Sequence, residues 1–165
     1  MTLDEFNQLG PDQRRVELLQ CCQCASWASR VSDNAPYGDR QALLETAASV
    51  WQTAGETEIL EAFAGHPQIG DLEVLRSRYS TTANAEQGQV LMASDETLEA
   101  LSDANEAYLS RHGFIFVVCA SGKSADEMLD MVRARLCNSR DEELVNGARE
   151  QAAITELRLI KLIEE

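Results

Sequence analysis

Basic residues are scarce in this chain: 14 Lys and Arg stand against 28 Asp and Glu, for a net charge of −14. That balance argues against a nucleic-acid partner, because a phosphate backbone needs a basic face and these cations are scattered. It leaves room for a small anionic substrate, which a local Arg or a few backbone N–H groups can hold. Electrostatic steering of such a substrate is not expected. Proline and glycine are also few, three and nine in 165 residues, and no low-complexity tract or internal repeat is present. Long linkers are therefore not expected. The longest unbroken apolar run, Phe114 to Ala120, is far too short to cross a bilayer. The opening Met1-Thr2-Leu3-Asp4-Glu5 is acidic and lacks an apolar signal core. The expectation is a soluble, cytoplasmic protein with no membrane partner.

The length suits one domain over residues 1–165 with a real core. Five cysteines, an odd number with no export signal, read as reduced thiols. Cys21, Cys22 and Cys24 include a C-x-x-C spacing, which in other settings marks a redox pair or half of a zinc site. Here the segment reads as helical and no second ligand pair exists, so neither a metal nor a redox role is expected. Cys119 and Cys137 lie among apolar residues and read as small core fillers.

Nearly all of the chain reads as helix. Thr2 and Glu5 have capping-box spacing and open a short helix that ends near Gly10-Pro11. From Asp12 a partly amphipathic pattern (Val16, Leu19, Gln20, Gln23, Trp27), widened by Leu18, Cys22 and Ala25, predicts a second helix. Ser32 to Gly38 is a loop by composition. Asp39 opens a helix through Trp51, and a short helix follows over about Thr57–Ala64. Asp71 is a natural N-cap for another, with Leu72 and Leu75 facing inward. Ser94 or Asp95 begins a helix holding Leu98, Leu101, Asn105 and Tyr108, stopped by Gly113. Phe114 to Ala120 has no strand to pair with, so it reads as a buried extended segment or a helix start. Ser124 with Glu127 and Ser139 with Glu142 are two further capping boxes. The fold class is all-α: an irregular multi-helix bundle, single domain.

Chemistry points first to Gly65-His66-Pro67-Gln68-Ile69-Gly70-Asp71, which places one of only two histidines in a stiff, sharply turned loop. A ring mounted this way keeps one orientation, as acid–base work requires. His112, in Arg111-His112-Gly113, reads instead as a cation at a helix C-terminus. Glu86-Gln87 lie near a turn, from which polar side chains can enter a cleft. Arg158 stands one turn from Ile154 and Leu162, at the margin of an apolar stripe. There it either pairs with an anion or lays its stem over apolar surface with its head in water.

These residues carry a resemblance. His66-Pro67-x-Ile69-Gly70, Glu86-Gln87, Asn105-x-x-Tyr108-x-x-x-x-Gly113-Phe114-x-Phe116 and Glu156-Leu157-Arg158-Leu159, in that order, resemble the 2-oxo-4-hydroxy-4-carboxy-5-ureidoimidazoline (OHCU) decarboxylase family. The likeness covers essentially the whole chain. Each element is short, and the four in sequence make the match specific. The resemblance implies an all-helical, cofactor-free, homodimeric enzyme of urate breakdown that turns OHCU into (S)-allantoin and CO2.

It also implies roles. His66 stands where the family has its catalytic histidine, and Glu86 would hydrogen-bond the substrate hydroxyl or support His66. Gln87 would hold ureido or ring amide groups, Pro67 would pack on the flat ring, and the backbone near Val118 would contact that ring. Arg158 would pair with a carboxylate or carbonyl oxygen. No metal cluster, dinucleotide fingerprint or cofactor-lysine motif is evident. One departure is local: many members have a serine three residues before Glu-Gln, and here it is Ala83. A second class of function, a non-catalytic acidic helical interaction module, fits the composition alone and is opposed only by the motif constellation.

Overall fold

A computed structural model describes residues 1–67 and 94–164. Among them it forms eight helices and no strand: α1 (Leu3–Gln8), α2 (Pro11–Cys21), α3 (Ala25–Asp33), α4 (Arg40–Gln52), α5 (Glu56–Ala64), α6 (Asp95–His112), α7 (Ala125–Leu136) and α8 (Arg140–Leu162). No helix among these residues is long and apolar enough to cross a membrane. The expected cap at Asp71 and the turn around Glu86-Gln87 lie outside the described residues.

The boundaries follow local chemistry. Thr2 and Glu5 exchange backbone and side-chain hydrogen bonds at the start of α1, and Ser124 with Glu127 do the same for α7. At α8, Ser139 N–H donates to Glu142 and Glu142 N–H donates back to the Ser139 hydroxyl. Asp39 caps α4 by accepting from Ala42 N–H, and Ser94 caps α6 through Thr97 N–H. Each such side chain satisfies a donor that the helix leaves unpaired. Gly113 ends α6 with φ of +79°, a left-handed conformation that glycine adopts without Cβ strain.

The chain packs as two compact units. Among the described residues, one comprises 1–66, 117–119 and 144–164, and the other 67, 94–116 and 120–143. In the first, Phe6, Leu18, Trp27, Val31, Leu43, Val50, Trp51, Leu159 and Ile163 are buried in one cluster. Its two indoles keep their N–H groups paired, Trp27 to Ala47 O at 3.0 Å and Trp51 to Ala148 O at 2.9 Å. A buried indole is tolerated only with such a partner.

The predicted second helix is instead two. Cys22 and Cys24 are extended, with φ of −147° and −131°, and α3 starts after them. A continuous helix would turn Cys22 and Cys24 toward nearly opposite sides, whereas the break lets Cys21, Cys22 and Cys24 all bury. Two glutamates of α5 compensate the new helix start: Glu61 accepts from Ala25 N–H at 3.0 Å, and Glu58 accepts from the Ser26 hydroxyl. Carboxylates are favoured at a helix N-terminus. Val16, expected on the apolar face of α2, is 55% exposed, and Leu18 with Cys21 takes its place.

In the second unit α6 lies against α7, burying Leu98, Leu101 and Tyr108 on one side and Met128 and Val132 on the other. Phe114 to Ala120 forms neither helix nor strand. Tyr108 meets Phe116 edge-on, ring centroids 5.3 Å apart, and Asn105 donates to Leu101 O. His112 is not a cation facing solvent. It is 2% exposed, 4.5 Å from the Tyr108 ring, and burial pushes its pKa down. It is therefore a neutral member of an aromatic cluster. Glu143, fully buried, organises that cluster's edge by accepting from Tyr108 OH at 2.6 Å, Arg135 Nε at 2.7 Å and Asn138 Nδ2 at 2.8 Å.

Candidate active site

The end of α5 delivers His66. Gly65 N–H and His66 N–H donate to Ala62 O and Phe63 O, so the last turn of α5 sets where the imidazole begins. Gly65 lies under Gln23, the middle residue of the extended Cys22–Cys24 segment. A Cβ at Gly65 would stand 2.5 Å from Gln23 Cβ, a distance no packed carbon pair adopts. The glycine is thus a requirement of close approach, as the loop's composition suggests. Phe63 anchors the same turn. Its ring packs over Gly147 of α8, where an added Cβ would come within 2.6 Å.

The His66 ring is half-buried, and its Nε2 lies 2.5 Å from Gln151 Oε1. Gln151 is fully buried and donates its own Nε2–H to Thr155 Oγ1 at 3.0 Å. Arg158, one turn further along α8, donates to Cys21 O at 3.1 Å. Desolvation lowers the His66 pKa below its usual 6.5. The Gln151 hydrogen bond opposes that shift, and the positive charge of Arg158 adds to it. His66 is accordingly neutral at pH 7, with a cation in its electrostatic reach.

Residues 117–119 join the same unit. Cys119 N–H donates to Glu150 Oε2 at 2.8 Å, and Val118 beside it is buried, 7% exposed. Adjacent residues of α8, Glu150 and Gln151, thus secure the Val118 segment and His66. Of the residues expected from sequence, His66, Val118 and Arg158 are brought onto or against α8. Pro67 is exposed. Glu86, Gln87 and the Ala83 position lie outside the described residues.

Gln151 and Thr155 escaped the sequence reading. Their signal was present: 151, 155 and 158 follow helical spacing along one face of α8, so two polar residues stood in line with the arginine already singled out. A polar pair within an apolar stripe reads as interruption until the ring that it serves is seen.

Cys21, Cys22 and Cys24 are buried, and desolvation raises the first two to pKa values of about 11 and about 12, so they are protonated and unreactive. No group of three His, Cys, Asp or Glu among the described residues is arranged to hold a metal ion. Cys137 is exposed rather than a core filler, because α7 ends there and turns its side chain outward. A cavity of about 290 Å³ between α4 and α8 is lined chiefly by Leu44, Ala47, Ala48, Trp51, Ala152 and Leu159. None of the expected site residues borders it.

A neutral histidine oriented by a buried amide can take up or release a proton at its other ring nitrogen. Comparison with known proteins makes this specific. The family model for OHCU decarboxylase matches residues 7–160, and the chain belongs to that family. It is 34% identical over 162 residues to the uric acid degradation bifunctional protein TTL of Arabidopsis thaliana, covering 96% of this chain and 48% of that protein. The chain thus spans about half the length of that relative. It is 25% identical to the 2-oxo-4-hydroxy-4-carboxy-5-ureidoimidazoline decarboxylase of Haloferax volcanii, over 96% of this chain and 94% of that one. Among solved structures, an OHCU decarboxylase crystallised in the presence of (S)-allantoin is 35% identical. It superposes with a TM-score of 0.76, covering 90% of this chain and 98% of its own.

Proposed function

We propose that this protein decarboxylates OHCU to (S)-allantoin and CO2 in urate degradation. The observation that carries this reading is a neutral His66, held at Nε2 by buried Gln151 within the field of Arg158, in a chain of this family.

The substrate supplies its own electron sink, so the reaction needs no cofactor. When the bond from ring carbon C4 to the carboxylate breaks, its electron pair forms a C4=C5 bond, the C=N pair shifts onto the ring nitrogen, which takes a proton from water, and CO2 departs. The resulting enol gives up its hydroxyl proton and takes a proton at C5, which becomes the stereocentre of allantoin. His66 accepts the hydroxyl proton, and Arg158 holds a carboxylate or carbonyl oxygen of the substrate. The segment at Val118 presents backbone groups to the ring. Pro67 packs on its face, Glu86 binds the hydroxyl and Gln87 the ureido group. Positioned proton transfer of this kind is worth roughly a hundred- to ten-thousand-fold in rate.

The working protein is read as a cytoplasmic homodimer without a nucleic-acid partner, consistent with its net charge of −14. The test is to follow optical activity while fresh OHCU is supplied. Purified protein should speed the appearance of the (S) enantiomer. A decay that stays spontaneous and racemic would remove the assignment.

A further inference from the structure

His66 meets Gln151 through Nε2, and the Gln151 amide is held at both ends. Thr155 occupies the other side, with Oγ1 3.0 Å from the amide nitrogen. Gln151 Nε2–H donates to that hydroxyl oxygen, and the amide oxygen at the other end faces His66. An amide oxygen accepts and cannot donate. The imidazole nitrogen opposite it therefore carries the proton.

We infer that Gln151 is a positioning residue which fixes His66 as the Nε2–H tautomer and makes Nδ1 the atom that takes up the substrate's hydroxyl proton. The second half of this statement rests on the decarboxylase reading above, whereas the tautomer does not. A chain from Thr155 through Gln151 ends on the ring, and all three residues are in the first unit. The choice of an amide has a chemical consequence. A carboxylate at this position would both orient the ring and retain the proton by pairing with the imidazolium. A neutral amide orients without that attraction, and Arg158 disfavours the cation. The proton is held briefly and passed on.

The experiment is two-bond ¹H–¹⁵N correlation on protein carrying labelled histidine. Only two histidines exist, and loss of one set of signals in His66→Asn assigns the other. The wild type should show a pyrrole-type Nε2 and a pyridine-type Nδ1 for His66. Gln151→Met, which keeps volume and removes the acceptor, should give mixed tautomers and lower kcat on the order of a hundredfold, with KM little changed. A wild-type spectrum with the proton on Nδ1 overturns the inference, and so does a Gln151→Met protein with unchanged tautomer or unchanged kcat. Should Gln151→Met not fold, the wild-type spectrum decides alone. Failure of the protein to accelerate OHCU decay would overturn the decarboxylase reading and leave the tautomer assignment standing, because the spectrum needs no substrate.

Discussion

Gly65 and Gln23 touch so closely that the backbone of the histidine turn and the break between α2 and α3 form one piece of structure. The 2.5 Å separation between a hypothetical Gly65 Cβ and Gln23 Cβ involves a carbon next to the main chain, which cannot rotate away. The turn that bears His66 is therefore set by a segment more than forty residues earlier in sequence.

Gly65→Ala should force this contact apart. Overpacking of this kind costs about 1–3 kcal/mol, to be read as a lower urea midpoint at constant slope. The displaced turn should also lower kcat by more than it changes KM. An alanine variant with wild-type midpoint and wild-type kcat would show that the contact is slack.

His66→Ala should abolish enzyme-driven (S)-allantoin formation while far-ultraviolet circular dichroism keeps its helical signal. Substantial retained rate would take His66 out of the mechanism.

The pH dependence has a definite sign. Both histidines have folded-state pKa values below the ordinary 6.5, burial being the main cause. Protonation then favours the unfolded chain, so stability is complete above about pH 6.5 and declines as pH falls toward the folded values. The melting temperature should drop over that interval, and His112→Phe should flatten the drop. Activity that requires neutral His66 should persist further into acid than a solvated histidine would allow. A melting temperature rising on acidification through pH 6 would contradict both placements.

Arg158→Ala removes one donor to Cys21 O and the proposed partner of the substrate anion. Stability should fall by about 1.5–3 kcal/mol, the worth of a hydrogen bond from a charged group. KM should rise by about tenfold or more, which corresponds to roughly 1.4 kcal/mol or more of lost binding. A large stability loss with unchanged kinetics would make Arg158 a structural residue.

Glu143 offers a test of the second unit. Glu143→Leu removes the acceptor of Arg135 Nε and of the Tyr108 hydroxyl, and losing one side of this part-buried pair should cost about 3 kcal/mol. Removing both charges, as Glu143→Leu with Arg135→Met, should recover part of that loss. A double variant as weak as the sum of the singles would mean that the two groups do not act as a pair.

Caps, turns and helix faces were legible from local sequence, because a capping side chain and the donor it satisfies lie three residues apart. Thr2, Asp39, Ser94, Ser124, Ser139 and Gly113 all act within their own turn. The break at Cys22–Cys24 was not legible. Nothing local stops that helix, and its new N-terminus is satisfied by Glu58 and Glu61 from another element. His112 misled for a related reason: a histidine at a helix end reads as a cation unless the aromatic rings that enclose it are known. In the site, His66 and Arg158 stood out by residue type and by resemblance. Gln151 did not, since its importance depends on a ring 85 positions away in the chain.

One further consequence follows from α8 bearing Gln151 and Arg158 on a single rigid rod. Seven residues separate them, about 10 Å along the axis at roughly 1.5 Å per residue. The spacing between the amide that orients His66 and the Arg158 side chain is thus measured out by helical pitch rather than by loop geometry. Loops elsewhere can lengthen without altering it. One residue inserted between these two positions would swing the arginine through roughly 100° and leave the histidine where it was. The geometry between these two side chains therefore depends on the register of one helix and on no connection.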